Sequence, residues 1–133
     1  TITLVVQRIG VSSSKLCALE AGDYVADLVG PLGKATDIRN FGTVVCACGG
    51  VGAAPMLPIA QALKAAGNRV ITVLAARNRE LIILHDQLAA VSDEVIVMTD
   101  DGSMGQKGLV TEGVEQVINR EQVVPQRLGI SSS

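Results

Sequence analysis

The fold is decided by one stretch, Thr43-Val-Val-Cys-Ala-Cys-Gly-Gly-Val-Gly-Ala-Ala-Pro55. Its first six residues are almost all apolar and rich in β-branched side chains, so they predict a buried strand of a parallel sheet. Gly49, Gly50 and Gly52 permit a tight turn and leave no Cβ between the backbone and a ligand. Pro55 suits the first position of a helix, where its missing N–H costs nothing. The stretch therefore predicts a strand, a glycine turn and a helix in direct succession.

The predicted turn has the properties of an anion site. A helix that follows such a turn presents free N–H groups and the positive end of its dipole, and a dinucleotide pyrophosphate is a usual occupant. The spacing is G-G-x-G-x-x-P rather than the dinucleotide fingerprint G-x-G-x-x-G. The glycines alone therefore leave two interpretations open, a phosphate site and a plain connection. The candidate phosphate contacts are Gly49, Gly50, Val51, Gly52 and Pro55.

Composition limits the class of protein. The chain has 133 residues, which is one domain's worth, and it is 48% hydrophobic but only 2% aromatic. The core must therefore be aliphatic, as it is in α/β sheets. Few aromatic residues and a net charge of −2 disfavour nucleic-acid binding by stacking or by a basic field.

Membrane and disulfide-rich classes are also disfavoured. Residues 40–63 carry no charge, but the glycine cluster divides them, so they do not predict a membrane-spanning helix. Three cysteines form neither a disulfide framework nor a metal-ligand pattern, and Cys46 and Cys48, within the apolar strand, are interpreted as small core residues. They indicate a reducing compartment, and we expect the protein to be cytoplasmic.

The rest of the chain continues the alternation of strands and helices. Further strands are predicted at Arg69–Ala76, at Glu94–Met98 and from Gln122 to Pro125, before a disordered tail at 126–133. Helices are predicted at Met56–Ala66, along a face of Leu81, Leu84, Leu88 and Val91, and from Thr111 to Asn119. The pattern predicts an α/β fold over residues 41–125, with a Rossmann-like parallel sheet and helices on both faces.

Charged and polar residues follow two of the predicted strands. Arg77 and Asn78 come after the second strand, where two arginines (with Arg79) could pair with a 2′-phosphate, or form the solvated start of a helix. Asp100, Asp101 and Gly102 follow the third strand, where carboxylates accept ribose hydroxyls, although Asp-Gly is also an ordinary turn dipeptide. Both interpretations stay open in each case.

The first 37 residues have a different pattern. Strands are predicted at Thr1–Ile9 and Tyr24–Val29, with Ser12, Ser13 and Ser14 capping a short helix at Lys15–Leu19. Gly30 and Pro31 predict a β-turn. The serines could offer hydroxyl and N–H groups to an anion, or serve only as a helix cap.

Three segments resemble the ferredoxin–NADP reductase superfamily. They are the strand with its G-G-V-G-A-A-P turn, the pattern Leu-x-x-Gly-Asp followed by a strand and Gly-Pro-Leu-Gly, and the run Thr99–Thr111. The last is similar to the T-D-D-G-S-x-G-x-K-G-x-V-T run of the electron-transfer subunits of dihydroorotate dehydrogenase and the small subunits of NADH-dependent ferredoxin–NADP oxidoreductase. The resemblance implies that residues 1–37 are the last strands of an FAD-binding β-barrel, ahead of an NAD(P)-binding domain.

The resemblance also implies a function. The parent protein would be a flavin-dependent NAD(P)H oxidoreductase that passes hydride from the nicotinamide to FAD, and electrons on to an iron–sulfur partner in a larger redox subunit. Ser12–Ser14 would touch the FAD pyrophosphate and Gly30–Pro31 would lie by the flavin edge. Because the cofactors carry the chemistry, no side chain is expected to act as acid, base or nucleophile.

Parts of that family are missing from the sequence. A [2Fe–2S] cluster is expected in the parent protein, but its cysteine ligands are absent here. The chain therefore looks truncated at both ends, and we expect it to be inactive alone and to self-associate through an unpaired sheet edge. Two alternatives stay open: a non-catalytic NAD(P)- or nucleotide-sensing domain, and a structural subunit whose glycines only turn the chain.

Overall fold

The computed structural model describes residues 2–121, and its contacts divide the chain into two compact units. Unit 1 is Thr1–Ala35 and unit 2 begins at Thr36. The predicted strand from Gln122 to Pro125 and the predicted tail lie outside the described residues. Unit 2 has the element order β1 (Thr43–Gly49), α2 (Ala53–Ala65), β2 (Arg69–Ala76), α3 (His85–Val91), β3 (Glu94–Thr99), β4 (Gln106–Lys107) and α4 (Val110–Glu121), after α1 (Val11–Cys17) in unit 1.

The described strands form one parallel sheet in the order β1-β2-β3-β4. Thr43 pairs with Arg69 at the start of β1 and β2, and Ile71 pairs with Glu94 where β3 begins. The bounds predicted for β2 are confirmed, and those for β1 and β3 are each short by one residue. All strands end at the same edge of the sheet, which therefore collects the loops that follow them.

Helices cover both faces of the sheet, as predicted. On one face α2 and α3 pack on alternate strand residues, and the buried cluster consists of Val44, Cys46, Cys48, Ala53, Met56, Ala60, Leu63, Val70, Leu74 and Leu88. On the other face α4 packs against Ile71, Val73, Ala75 and Met98 through Val117. The core is aliphatic, as the composition predicts, and the α/β class with a Rossmann-like sheet is confirmed.

A glycine sets the distance between α4 and the sheet. A Cβ built on Gly113 would lie 2.7 Å from Val73 Cγ1 and 3.0 Å from Met98 Cγ. Glycine in a helix interior costs about 1 kcal/mol relative to alanine. Here that cost permits the helix backbone to approach β2 and β3 closely.

Charged side chains tie the amino-terminal edge of the sheet to the helices. Arg120 in α4 binds Glu94 with two hydrogen bonds of 2.8 and 2.7 Å. Lys64 in α2 binds Asp93 at 2.6 Å, and Asp93 also accepts the N–H of Val70 at 2.8 Å. The hydrogen bond from Arg120 lowers the pKa of Glu94, and that from Lys64 lowers the pKa of Asp93.

Three helix predictions in unit 2 differ from the structure in their bounds. The helix predicted from Thr111 to Asn119 spans Val110–Glu121. The helix α2 begins at Ala53, because Gly50–Gly52 already coils as a 3₁₀ turn, so Pro55 is its third residue rather than its first. A proline there still costs no hydrogen bond, since the first N–H groups of a helix have no intrahelical partner. Leu81 and Leu84 lie outside α3: a short 3₁₀ turn ends at Leu81, and Leu84 is a left-handed N-cap at φ 57°.

The strands predicted in unit 1 are wrong. Residues 2–9 and 24–29 lie outside any strand, and α1 is the helix that the described part of this unit contains. A strand needs a neighbour to receive its ladder hydrogen bonds, and no described segment pairs with either stretch. The predicted helix Lys15–Leu19 begins earlier, at Val11, with Gly10 as N-cap, so the three serines lie inside it.

Among the described residues, no helix has both the length and the apolar character that a bilayer crossing requires.

Candidate functional site

The glycine turn lies at the carboxyl end of β1. Gly49 ends the strand in an extended conformation, at φ −128° and ψ 137°, and Gly50 then takes the left-handed value φ 55°. This is the reversal that lets the chain pass directly into the 3₁₀ turn and α2, and a residue with a Cβ adopts it only with strain. The predicted succession of strand, glycine turn and helix is confirmed.

The space in front of the turn is open. A Cβ built on Gly50 has no heavy atom within 4 Å, and one built on Gly49 has Ala75 O at 3.9 Å as its nearest neighbour. The glycines at 49 and 50 are therefore not required by protein packing. Val51 and Pro55 are exposed, while Gly52 is buried at the start of α2. The N–H groups of the first turn of a helix point out of this end and have no intrahelical partner.

The loops after β2 and β3 meet at the same edge. The N–H of Asp100 donates to Ala76 O and that of Asp101 donates to Arg77 O, both at 3.2 Å. These bonds extend the pairing of β2 and β3 beyond the ends of the strands. The structure therefore brings the two predicted charge sets, the basic residues after β2 and the acidic residues after β3, side by side.

A side-chain bridge joins the two loops further out. Asp101 Oδ1 accepts both the hydroxyl of Ser103, at 2.6 Å, and its N–H, at 2.9 Å. The Ser103 hydroxyl in turn accepts the N–H of Arg79 at 2.7 Å. We call these three contacts the Ser103 bridge. Hydrogen bonds from the Ser103 hydroxyl and amide lower the pKa of Asp101, so its carboxylate is charged at neutral pH.

Other residues of these loops are fixed locally. Asn78 caps the 3₁₀ turn at Arg79–Leu81, because its Oδ1 accepts the N–H of Leu81 at 3.1 Å. Thr99 is fully buried and donates its hydroxyl to Met104 O at 2.7 Å. Sequence reasoning missed Ser103 and Thr99 as loop-fixing residues. The Asp-Gly-Ser turn signal was visible, but the partner of Ser103 lies 24 residues away.

The paired cysteines of β1 are structural, as predicted. Cys46 and Cys48 are 4% and 5% exposed, and both pack in the cluster under α2. Burial raises the pKa of the Cys46 thiol to about 11 and, together with the charge of Cys46, that of Cys48 to about 12. Thiols with these pKa values are neutral and unreactive at physiological pH. Within residues 2–121 no cluster of His, Cys, Asp and Glu could hold a metal ion.

The predicted flavin contacts lie in unit 1. The Ser13 hydroxyl accepts the N–H groups of Ile9 and Gly10, at 3.0 and 2.9 Å, so it serves as a local helix cap. Ser12 is exposed and Ser14 half-buried, and the cis Gly30–Pro31 peptide is exposed. Unit 1 has no buried side chain among its described residues.

The fold and the glycine turn define an α/β domain with a Rossmann-like parallel sheet. The comparison with known proteins narrows this class. The chain is 42% identical over 119 residues to the dihydroorotate dehydrogenase B (NAD(+)) electron transfer subunit homolog of Thermotoga maritima, covering 90% of this chain and 42% of the relative. It is 36% identical over 118 residues to the probable electron transfer subunit of the same enzyme from Methanopyrus kandleri, covering 89% of this chain and 44% of the relative.

A solved structure agrees with these relatives. It is the NADH-dependent reduced ferredoxin-NADP oxidoreductase, described with flavin-based electron bifurcation, and it matches at 42% identity with a TM-score of 0.78 over 87% of this chain and 41% of that chain. No family model matches the chain. The predicted resemblance to the ferredoxin–NADP reductase superfamily is confirmed, and the chain spans about two fifths of the length of the relatives it matches.

Proposed function

We propose that this chain is the nucleotide-binding part of an NAD(P)H- and FAD-dependent electron-transfer subunit. The observation that carries the proposal is the glycine turn. It has open space at Gly49 and Gly50 and feeds the N-terminus of a 13-residue helix at the carboxyl edge of a parallel sheet. Relatives that are electron-transfer subunits of NAD(+)-linked dihydroorotate dehydrogenase support the same function.

The dinucleotide pyrophosphate would bind at the glycine turn. Gly49, Gly50 and Gly52 let its oxygens approach the backbone, and the N–H groups at the start of α2 would donate to them. Pro55, the third residue of the helix, removes one N–H but keeps that end of the helix free of a bulky polar side chain. Val51 is 38% exposed and would lie against the ligand.

The ribose of the adenosine half would lie over the loops after β2 and β3. Asp100 is exposed directly after a buried strand and would accept ribose hydroxyls, with Asp101 offering its second carboxylate oxygen. Arg77 and Asn78 would line the other side, and Gly102, at a left-handed φ of 74°, would turn the acidic loop beside them. The carboxylates favour a free 2′-hydroxyl over a 2′-phosphate, so we propose NADH as the preferred dinucleotide.

FAD would belong to the parent protein rather than to this chain alone. When bound, a flavin accepts hydride and releases electrons singly, which couples a dinucleotide to an iron–sulfur partner. Ser12–Ser14 and Gly30–Pro31 are the residues of unit 1 that would contact it, and of these Ser13 and Ser14 are half-buried while the others are exposed. The chain's own residues would position the dinucleotide, and no side chain would act as acid, base or nucleophile.

The partner in the parent protein would be a larger redox subunit, since the relatives are named as subunits. A [2Fe–2S] cluster would lie in parts of the parent that this sequence does not contain. The three free cysteines support a reducing compartment, and we propose the cytoplasm. Self-association through a free sheet edge stays a prediction.

The test uses two matched glycine substitutions at opposite ends of β1. Gly42 and Gly50 both have a left-handed φ, 97° and 55°, and neither has an atom within 4 Å of an added Cβ. Gly42→Ala should cost at least as much backbone strain as Gly50→Ala, because φ 97° lies farther from the left-handed values that residues with a Cβ adopt. Only Gly50→Ala should weaken NADH binding, at least about tenfold or 1.4 kcal/mol, in isothermal titration of the full chain. Equal NADH affinities in the two folded variants would refute the pyrophosphate site.

A non-catalytic nucleotide sensor remains the second candidate. It is favoured by the exposed character of unit 1, which lacks a buried side chain among its described residues. Flavin absorbance of the purified full chain distinguishes the two functions. Stoichiometric FAD would favour electron transfer by this chain itself, whereas NADH binding without flavin would favour the sensor.

A further inference from the structure

The Ser103 bridge fixes an amide that no nearer residue serves. The N–H of Arg79 is the first of a 3₁₀ turn, and the first N–H groups of such a turn have no partner within it. Ser103 supplies the acceptor from a different loop, 24 residues further along the chain, at 2.7 Å. The turn after β2 is therefore capped by the loop after β3.

The Ser103 hydroxyl both donates and accepts a hydrogen bond in this bridge. Its single O–H donor goes to Asp101 Oδ1 at 2.6 Å, and a hydroxyl lone pair receives the N–H of Arg79. Asp101 orients the hydroxyl, because the same oxygen also accepts the Ser103 N–H at 2.9 Å. An alanine at this position can neither donate nor accept, whereas a threonine can do both.

Next to the ends of the strands, the two loops are joined by backbone hydrogen bonds that do not depend on Ser103. Those bonds run from Asp100 N to Ala76 O and from Asp101 N to Arg77 O. Farther from the strands, the Ser103 bridge joins the N–H of Arg79 to the loop after β3. The arginines after β2 therefore do not lie on a freely mobile helix start: their backbone is held beside the acidic loop.

We propose that Ser103 is a positioning residue for the adenosine ribose, which fixes the Arg77–Arg79 turn to the Asp100–Asp101 loop so that both meet the ligand in one geometry. This inference rests on the proposed dinucleotide function. Ser103 itself need not touch the ligand. Because Ser103 orders the turn after β2 before the ligand binds, less conformational entropy is lost on binding. This is the usual way in which preorganisation increases affinity.

The test compares three serine variants of the full chain by titration with NADH and with ADP-ribose. Ser103→Ala removes the bridge, and Ser103→Thr keeps the hydroxyl. Ser92→Ala is the matched control, because Ser92 also makes a side-chain hydrogen bond, to buried Thr72 at 2.7 Å, but precedes β3 at the opposite edge of the sheet. Ser103→Ala should weaken the binding of both ligands at least about fivefold, because the variant loses roughly one hydrogen bond that holds the turn in its binding geometry. Ser103→Thr and Ser92→Ala should bind as the wild-type chain does.

Each result decides the inference. Wild-type affinity in Ser103→Ala, or weak binding that Ser103→Thr does not restore, overturns it while leaving the dinucleotide site intact. A wild-type chain that binds neither ligand overturns the proposed function and the ribose role with it. The bridge itself is checked without ligand, because amide hydrogen exchange at Arg79 should accelerate at least about tenfold in Ser103→Ala and not in Ser103→Thr.

Discussion

The buried side chain of Asn68 should carry an unusually large share of the stability of unit 2. It is 2% exposed and makes four hydrogen bonds. Its Oδ1 accepts the N–H groups of Phe41 and Gly42, at 2.7 and 3.1 Å, and its Nδ2 donates to Arg39 O and Leu63 O, at 2.9 and 2.8 Å. Asn68 thus joins the end of α2 to the segment that enters β1.

The loss of stability in Asn68→Ala depends on which hydrogen bonds the partners of Asn68 still make in the variant. Leu63 O still accepts the backbone N–H of residue 68 at 3.2 Å, and Gly42 N–H still has the Asn40 side chain at 3.0 Å. Half-buried Phe41 loses its one acceptor, and exposed Arg39 O turns to water. The hydrogen bonds to Phe41 N–H and Arg39 O are not replaced within the protein, at about 1 kcal/mol each. With about 1 kcal/mol more for the unsatisfied Phe41 amide, the expected loss of unfolding free energy is about 3 kcal/mol.

Asn40→Ala is the matched control, since it removes one hydrogen bond to an amide that Asn68 also serves, and it should cost less than about 1 kcal/mol. The free energy of unfolding is measured in urea by far-UV circular dichroism, because the chain has no Trp. NADH affinity should be the same in both folded variants, because Asn68 lies at the edge of the sheet opposite the glycine turn. An Asn68→Ala chain no less stable than Asn40→Ala would refute the reasoning.

Three further outcomes are expected. Asp100→Ser should raise the affinity for NADPH relative to NADH at least about fivefold in paired titrations, because one carboxylate repulsion near a 2′-phosphate is removed; an unchanged ratio would contradict the role of Asp100. A thiol reagent should modify Cys17 in the native chain and reach Cys46 and Cys48 only on unfolding, because those two thiols are buried with pKa values of about 11 and 12; three fast thiols would contradict this. Glu94 has a lowered pKa in the folded state, so its stabilising effect is present above its unfolded value of 4.5 and is lost as the pH falls through the folded value. Glu94→Gln should therefore flatten the acid limb of the stability curve below about pH 4.5 and leave its slope at neutral pH unchanged, and an unaltered acid limb would argue against it.

The local sequence pattern was sufficient to predict the secondary structure at the centre of the fold. The apolar run before Gly49 and the β-branched run Arg69–Ala76 predicted two strands of a parallel sheet, because continuous apolar runs are typical of strands covered on both faces. β2 is buried at consecutive positions from Val70 to Ala75, whereas β1 is buried only at alternate positions, so the prediction of burial on both faces is wrong for β1. The glycine turn and the helix after it were also predicted, since a left-handed φ and a free helix N-terminus depend on residues adjacent in sequence. The same holds for the neutral, buried cysteines of β1.

Only the tertiary structure decided what depends on partners distant in sequence. Residues 2–9 and 24–29 have the composition of strands but lie outside any strand, because a strand forms only where a neighbouring segment accepts its ladder hydrogen bonds. The two-residue strand Gln106–Lys107 had no pattern to reveal it, yet it pairs with β3. The hydrogen bonds from Phe41 to Asn68 and from Arg79 to Ser103 join residues more than 20 positions apart, so no local sequence pattern predicts them. The sequence alone predicted which residues could contact a phosphate. The packing of the sheet decided that the loops after β2 and β3 are held together at the same edge as the glycine turn.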